Sequence, residues 1–188
     1  IGAGSMANSV HYPSVTSFDD VEIVGLCDLD RVRLDATAKK FGIGSTFTSH
    51  KEMLEKTSPD AVYALMPPHV LFEVAMDVLE RGHALFVEKP PALTTFQTVN
   101  LARMAERKGV VSAVGFQRRY HPMVHRVWDE VRKKGEIHQV TSSFFKNAAP
   151  QETHGYYRGS IDILHCDAIH AVDLMRGLGL VSDHDIVE

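Results

Sequence analysis

The sequence predicts an α/β protein whose parallel, doubly wound sheet is covered by helices on both faces. Two observations favour this fold class: apolar runs suited to buried strands alternate with segments of helical spacing, and short links join them. A third is the turn Gly2-x-Gly4-x-x-Ala7, which should follow a strand. Only Ile1 precedes this turn, and the first strand of such a sheet is central. We therefore expect a split sheet and a native protein that begins several residues earlier.

The strands are predicted from continuous apolar runs bounded by turn residues, a pattern typical of strands buried on both faces. In chain order they are Val21 to Cys27, Thr46 to Phe47, Asp60 to Met66, Ala84 to Val87 and Val110 to Val114. The helices are predicted where apolar residues recur at helical spacing and a glycine or a capping residue marks an end. In chain order they are Arg31 to Phe41, His69 to Arg81, Thr94 to Gly109 and Pro122 to Gly135. Thr94 with Gln97 fits a capping box.

The regular alternation stops near residue 118, where we place a domain boundary. His138 to Lys146 predicts a strand with mixed faces, and Ala148 to Gly159 predicts a loop. Ile161 to Met175 predicts a helix that ends at Gly177. We therefore expect a first domain over residues 1–117 and the first part of a second domain over residues 118–188.

The composition favours a protein that handles small molecules in a reducing compartment. A formal net charge of -4 and a pI near 6.3 offer no basic field for nucleic acid or an anionic membrane. Cys27 and Cys166 are far apart and form no CxxC pair, which suits reduced thiols in the cytoplasm. No apolar run approaches about 18 residues and no leader pattern occurs, so neither a transmembrane helix nor a signal peptide is predicted.

The opening turn has the spacing of a phosphate-binding turn. Gly2 permits the tight turn, Gly4 lets backbone approach a pyrophosphate, and the small Ala7 allows close packing of helix on strand. The helix that starts near Ser5 and Met6 offers unpaired N–H groups to negative charge. The hexapeptide alone is a weak signal, but its position in a βα unit strengthens it. We therefore expect residues 1–117 to bind a dinucleotide.

Asp28 directly follows the predicted strand Val21 to Cys27, where an acidic side chain would accept hydrogen bonds from the adenosine ribose. The alternative is a carboxylate that caps the next helix, and Asp30 is the better candidate for that cap. A carboxylate in the ribose position repels a 2'-phosphate, which favours NAD over NADP. Arg31 lies nearby and keeps NADP as an alternative.

Glu88-Lys89-Pro90 follows the apolar run of a predicted buried strand, and Pro67-Pro68-His69 follows the run before it. Ligands of open α/β sheets bind beyond the carboxyl ends of the strands, so Lys89 would face whatever the sheet binds. Alternatively, Lys89 is only a polar residue that ends the strand and is held there by a rigid proline turn. A turn followed by the start of a helix largely explains the residues Pro67 to His69. His69 is nevertheless a candidate neighbour of the nicotinamide or its ribose.

The last predicted helix places Asp167 and His170 on roughly one face. A carboxylate beside an imidazole holds the ring in one tautomer and raises its basicity, as a general base in alcohol oxidation requires. The alternatives are an exposed polar face and a metal site that adds His165 and Cys166. The metal site is the weaker alternative because neighbours in sequence point to different faces of a helix, and we expect no metal.

Together these features resemble the Gfo/Idh/MocA family, the glucose-fructose oxidoreductase and inositol dehydrogenase group of NAD(P)-dependent enzymes. The resemblance spans nearly the whole chain, and the order and spacing of its motifs are specific although any single motif is not. The motifs are Gly2 to Ala7, Pro67 to His69, Glu88 to Pro90, Gly115 to Pro122 and His170 to Asp173.

The resemblance implies a Rossmann-type domain followed by a substrate domain on a large open mixed sheet, through which family members assemble into homo-oligomers. It also implies that Lys89 binds the reacting hydroxyl and helps to move its proton, and that His170 is the general base. Only about one strand and one helix follow residue 135, so we interpret Glu188 as a cut in this substrate domain.

Two positions depart from the family pattern. Many members have an aspartate four positions before the histidine, where this chain has Cys166, and Asp167 is the geometric substitute on the same side of the helix. Leu71 stands where members often have histidine.

The expected catalytic residues are Lys89, Asp167 and His170. The residues expected to bind substrate are Lys89, Arg118, Tyr157, Asp167 and His170. The residues expected to contact the cofactor are Gly2, Gly4, Ser5, Met6, Ala7, Asp28, Arg31, Pro67, His69, Glu88 and Lys89.

The leading functional hypothesis is the NAD(P)-dependent oxidation of a secondary alcohol on a sugar, cyclitol or related polyol. A second hypothesis is a regulatory protein of the same fold that binds the dinucleotide without catalysis. The presence of Lys89, Asp167 and His170 together favours the enzyme, because a binding protein needs none of them. A third is a metal-dependent hydrolase built on the histidine helix. Nucleic acid and membranes are not expected as partners.

Overall fold

A computed structural model describes residues 1–145, 161–162 and 164–178. The chain divides into two compact units, which we call unit 1 (Ile1–Val114) and unit 2 (Gly115–Glu188). The predicted α/β fold class is confirmed in unit 1, where parallel strands alternate with helices.

The strands of unit 1 form two parallel sheets. They are β1 (Leu26–Cys27), β2 (Thr46–Phe47), β3 (Ala61–Ala64), β4 (Ala84–Val87) and β5 (Ser112–Val114). One sheet has the order β1-β2 and the other has the order β3-β4-β5. In the second sheet, Ala64 is the partner of Val87 and Val87 is the partner of Val114, so the three strands end at one edge.

Ile1 and Gly2 lie between the two sheets, in the position of a central strand. The N-terminal amine of Ile1 donates to the carbonyl of Tyr63 at 2.6 Å, and the amide of Leu65 donates to Ile1 at 2.8 Å. On the other side, the amide of Gly2 donates to the carbonyl of Cys27 at 2.7 Å. As the sequence predicts, the sheet is split at its central strand.

The predicted strand from Val21 to Cys27 is wrong over its first five residues. Only Leu26 and Cys27 form β1, whereas residues 21–25 have irregular backbone. An apolar run becomes a strand only where a neighbouring chain pairs with its backbone. In the described structure, only Ile1 and Gly2 fill the space between β1 and β3, so the earlier residues of the run have no strand beside them.

The helices predicted in unit 1 over residues 31–41, 69–81 and 94–109 are confirmed to within one residue at each end, whereas the helix over residues 50–57 was not predicted. A π-helical turn (Ala7–His11) continues into α1 (Tyr12–Val15), and the later helices are α2 (Arg31–Phe41), α3 (His50–Thr57), α4 (Pro68–Glu80) and α5 (Thr95–Lys108). Gly42 and Gly109 end α2 and α5 in the left-handed conformation, with φ of 67° and 66°. The hydroxyl of Thr94 accepts the amide of Gln97 at 3.2 Å as a cap, but the side chain of Gln97 accepts the amide of Leu93. The predicted capping box is therefore only half formed.

Both faces of β1 are covered, whereas exposed and buried residues alternate on β3, so only one face of that predicted continuous apolar strand is covered. Leu26 and Cys27 are neighbours on β1, yet they belong to two different buried clusters. Because successive strand residues point to opposite faces, the clusters lie on opposite sides of the sheet. The larger cluster is centred on α4, where Leu71, Val78 and Leu79 have at most 1% exposure.

Unit 2 contains a 3-10 turn (Gln117–Tyr120), α6 (Pro122–Arg132), a π-helical turn (Leu164–Ala168) and α7 (Ile169–Leu178). The predicted strand from His138 to Lys146 is wrong over residues 138–145, whose backbone is irregular. No neighbouring strand pairs with it among the described residues of this unit. The predicted loop from Ala148 to Gly159 lies outside the described residues.

We expect Leu79→Ala to lower the free energy of unfolding by about 2–5 kcal/mol, because a fully buried leucine leaves both lost transfer energy and a cavity. Urea denaturation monitored by circular dichroism measures this loss. Val70→Ala on the same helix is the control, because Val70 is 50% exposed and should change stability by about 0.5 kcal/mol or less. Equal losses in the two variants would contradict the assignment of the core.

Candidate functional site

The opening glycine turn is held in place by its first glycine. Gly2 has a φ of 99°, and a Cβ atom at this position would lie 2.2 Å from the carbonyl oxygen of Leu65. The hydroxyl of Tyr12 donates to the carbonyl of Gly2 at 2.5 Å, and Ala7 is 1% exposed. The predicted reasons for a glycine at position 2 and a small residue at position 7 are therefore confirmed: a tight turn and close packing.

Asn8 clamps the turn to α2, and the sequence analysis missed it. Its side-chain nitrogen lies 2.8 Å and 3.1 Å from the carbonyl oxygens of Ala3 and Gly4 and 3.0 Å from the hydroxyl of Thr37, so its two N–H groups are shared among three acceptors. The signal in the sequence was an amide side chain one helical turn after Gly4. These contacts fix the direction of the peptide groups in the turn.

Gly4 differs from Gly2 because no neighbour among the described residues requires a glycine there. A Cβ atom at Gly4 would meet no atom within 4 Å. Ser5 and Met6, which follow it, are exposed. A backbone surface left open beside the start of a helix is what close approach of a pyrophosphate needs. The residues present therefore fit a dinucleotide.

Asp28 connects the glycine turn to the end of β1. Its carboxylate accepts the amide of Ala3 at 2.7 Å, the amide of Asp30 at 2.8 Å and the guanidinium of Arg33 at 3.1 Å, and its side chain is 9% exposed. Although burial opposes ionisation, these donors hold the pKa of Asp28 below its usual value. A charged acceptor therefore stands beside the turn at neutral pH.

Asp30 and Arg33, which follow Asp28 in the chain, have different roles. Asp30 caps α2, as predicted, because its side chain accepts the amides of Val32 and Arg33. The arginine that pairs with Asp28 is Arg33, whereas Arg31 is exposed at the start of α2. Arg33 was not predicted from the sequence, since only the geometry of the helix shows which arginine turns back towards the strand end.

Glu88 and Lys89 follow β4, and both are half-buried. Glu88 Oε1 lies 2.7 Å from Nε2 of His11, and Glu88 Oε2 accepts the backbone amide of Lys89 at 3.2 Å. Although burial opposes ionisation, His11 and Lys89 hold the pKa of Glu88 below its usual value. The peptide bond between Lys89 and Pro90 is cis.

The strand ends bring the predicted site residues of unit 1 to one edge. Pro67 precedes α4 just after β3, and His69 is exposed in the first turn of that helix. Because β3 and β4 are parallel and end in register, Pro67 and Lys89 leave the sheet on the same side. Gly2 contacts Leu65 at the end of β3, so the glycine turn lies at this edge as well.

Unit 2 contains the histidine helix. Asp167 and His170 are 9% and 4% exposed, so they do not lie on an exposed polar face. The ring of His170 contacts Phe116 edge to face and Phe144 in a stacked arrangement, each with centroids 6.4 Å apart. The guanidinium of Arg118 lies 4.7 Å from the centroid of Phe144. Arg118 and His170 thus contact the same aromatic ring.

Asp173 belongs to the motif His170 to Asp173, but no role for it was predicted from the sequence. Its carboxylate forms an ion pair with the guanidinium of Arg119, with Nε donating at 2.9 Å, and its side chain is 7% exposed. The pair joins the 3-10 turn to α7 and holds the pKa of Arg119 above its usual value, chiefly through the hydrogen bond to Asp173. Tyr157, a predicted substrate contact, lies outside the described residues.

Within the described ranges, no group of three or more histidine, cysteine, aspartate or glutamate side chains is arranged to hold a metal ion. Across the same residues, no helix combines the length and apolar character needed to cross a bilayer.

A family model described as an oxidoreductase family with an NAD-binding Rossmann fold matches residues 1–116. The chain is 31% identical over 144 residues to a D-glucoside 3-dehydrogenase of Escherichia coli, covering 76% of this chain and 41% of that protein. It is 30% identical over 108 residues to an NAD+-dependent scyllo-inositol 2-dehydrogenase of Bacillus subtilis, covering 57% and 32%. The chain therefore spans less than half of the length of these relatives.

A solved structure shows the same fold over most of the chain. The WlbA dehydrogenase of Bordetella pertussis, in complex with NADH and UDP-GlcNAcA, matches with a TM-score of 0.80 at 25% identity, covering 94% of this chain and 53% of that one. The glycine turn, the acidic strand end and the lysine strand end of unit 1 all lie within the matched residues 1–116. The chain belongs to the Gfo/Idh/MocA oxidoreductase family, with its NAD-binding Rossmann fold.

Proposed function

We propose that this protein is an NAD(P)-dependent oxidoreductase that transfers a hydride between nicotinamide and a secondary alcohol of a sugar, cyclitol or related polyol. The observation that carries the proposal is the open backbone at Gly4 on the strand edge from which Lys89 emerges. The relatives act on a glucoside and an inositol according to their names, which supports a polyhydroxylated substrate.

In this proposal, unit 1 holds the dinucleotide. Its pyrophosphate lies against the backbone of Gly4, Ser5 and Met6, and Asp28 accepts hydrogen bonds from the adenosine ribose. The ionised Asp28 disfavours a 2'-phosphate, so NAD is the preferred cofactor. Arg33 is the arginine placed to favour NADP if its pair with Asp28 opens.

Because the bound nicotinamide supplies the hydride chemistry, the side chains of the protein have to bind the alcohol and transfer its proton. Lys89 binds the reacting hydroxyl and either accepts its proton or stabilises the developing alkoxide. His170 serves as general base, with Asp167 nearby on the same segment. Unit 2 is, in this proposal, the beginning of the substrate domain, and Arg118 and Tyr157 contribute contacts to the substrate.

Gly2→Ala and Gly4→Ala separate the folding role of the turn from its binding role. We expect Gly2→Ala to destabilise the protein by about 1–3 kcal/mol or more, because φ is positive and Leu65 occupies the space. Gly4→Ala should keep the melting temperature but weaken NADH binding by about tenfold or more, which corresponds to about 1.4 kcal/mol. Thermal melts and calorimetric titration measure the two effects. Unchanged NADH affinity in Gly4→Ala would contradict the binding site.

Calorimetric titration of the protein with NADH and with NADPH tests the role of Asp28. We expect tighter binding of NADH, because a buried, ionised carboxylate repels the additional phosphate. In Asp28→Asn the difference between the two affinities should shrink. A clear preference of the unmodified protein for NADPH would refute this role of Asp28.

Lys89→Ala tests catalysis itself. We expect turnover on a panel of polyols, measured by nicotinamide absorbance, to fall by about 10²-fold or more, because one positioned proton-transfer or charge-stabilising group is lost. Lys56→Ala is the control, since Lys56 is exposed and pairs with Glu52 on α3. Full turnover in Lys89→Ala would refute the assignment. NADH binding without turnover by the unmodified protein would instead favour a regulatory protein.

A further inference from the structure

A histidine–carboxylate pair joins the glycine-turn helix to the lysine strand end, and the proposed function gives it no role. His11 Nε2 lies 2.7 Å from Glu88 Oε1, and the two side chains are 12% and 17% exposed. Because the pKa of Glu88 is held low, its carboxylate is charged near neutral pH and can only accept hydrogen bonds. The nitrogen of His11 therefore donates to it.

The second carboxylate oxygen of Glu88 binds the backbone of Lys89, the expected catalytic residue at this edge. Glu88 Oε2 accepts the backbone amide of Lys89 at 3.2 Å, while Oε1 is bound to His11. One carboxylate thus connects the histidine to the backbone from which the lysine side chain extends. A charge-assisted contact of this kind restrains backbone more strongly than one between neutral groups.

His11 is itself held in position from two sides. It ends the π-helical turn Ala7–His11 that follows the glycine turn. Its ring contacts Phe86 and Tyr63 edge to face, with centroids 5.5 Å and 6.0 Å apart, and those two rings stack at 4.7 Å. The direction in which Nε2 points is therefore set by β3, β4 and the glycine-turn helix together.

A second pair of the same chemistry in unit 1 has a different setting. His50 Nε2 lies 2.8 Å from Asp77 Oδ2, with side chains 22% and 29% exposed, and it joins α3 to α4. Lys51 also approaches Asp77, at 3.3 Å. Both residues lie on helices and neither adjoins Lys89 in sequence, so this pair is a matched control for a purely structural role.

We propose that His11 is a positioning residue for Lys89, which acts through Glu88 to set the lysine strand end relative to the glycine turn. This inference rests on the proposed function for its catalytic consequence. Its structural consequence, the restraint of the Lys89 backbone, can be measured without any activity. The contacts of His11 and Glu88 thus set the position of the lysine relative to the glycine turn.

The experiment compares His11→Leu, His11→Gln and Glu88→Gln with His50→Leu in the intact protein. Leucine removes the donor at similar volume, whereas glutamine restores a donor to Glu88. With 15N-labelled lysine, we expect hydrogen exchange at the Lys89 amide to speed up by about tenfold or more in His11→Leu and Glu88→Gln. His11→Gln should recover most of the protection, and His50→Leu should leave it unchanged.

The kinetic arm uses the same variants. For His11→Leu we expect kcat to fall by about tenfold or more at a nearly unchanged Kd for NADH, and the double variant His11→Leu/Glu88→Gln to be no worse than either single variant. Unaltered exchange at the Lys89 amide in both His11→Leu and Glu88→Gln would overturn the inference. So would a loss of kcat no larger than that of His50→Leu.

The two proposals fail in different ways. An unmodified protein that binds NADH but turns over no polyol refutes the proposed function, while the exchange of the Lys89 amide still decides the role of His11. If His11→Leu does not fold, Glu88→Gln carries the test, because its neutral amide forms weaker hydrogen bonds and has an acceptor oxygen at only one of the two positions that Oε1 and Oε2 of Glu88 occupy.

Discussion

The close approach of Gly2 to the carbonyl of Leu65 is the constraint on which the rest of unit 1 depends. It lets Ile1 and Gly2 hydrogen-bond to β3 on one side and to β1 on the other, so one short stretch of backbone joins two sheets. A side chain at Gly2 would push the turn away from Leu65 and separate the sheets. The position of the glycine turn, and of every group bound to it, follows from this contact.

Three polar side chains hold the glycine turn in a fixed position relative to the neighbouring helix and strand ends. Asn8 ties it to α2, Asp28 ties it to the end of β1, and His11 ties the helix after it to Glu88 at the end of β4. Each of these contacts pairs polar groups that are partly buried. The strand ends are therefore held in a fixed relation before any ligand binds, which reduces the ordering that binding must produce.

In unit 2 the sequence pattern and the structure agree less well. The amphipathic spacing of α6 and the presence of α7 follow from sequence, but the strand expected from His138 is absent over residues 138–145 because no partner strand lies beside it among the described residues. The π-helical turn Leu164–Ala168 was also not predicted. It changes the angular spacing between Asp167 and His170, which the assumption of a regular helix could not anticipate.

The sequence by itself determined the order of β1 to β5 with α2, α4 and α5, the caps Asp30 and Thr94, and the roles of Gly2 and Ala7, because these depend on local spacing and backbone conformation. It also pointed to Lys89 through a charge at the end of an apolar run. Only the tertiary structure decided that Arg33 pairs with Asp28 and that His11 pairs with Glu88. Those partners are far apart in sequence or related only through helix geometry, so the contacts exist only once parallel strands and the helices on them have brought the chain together.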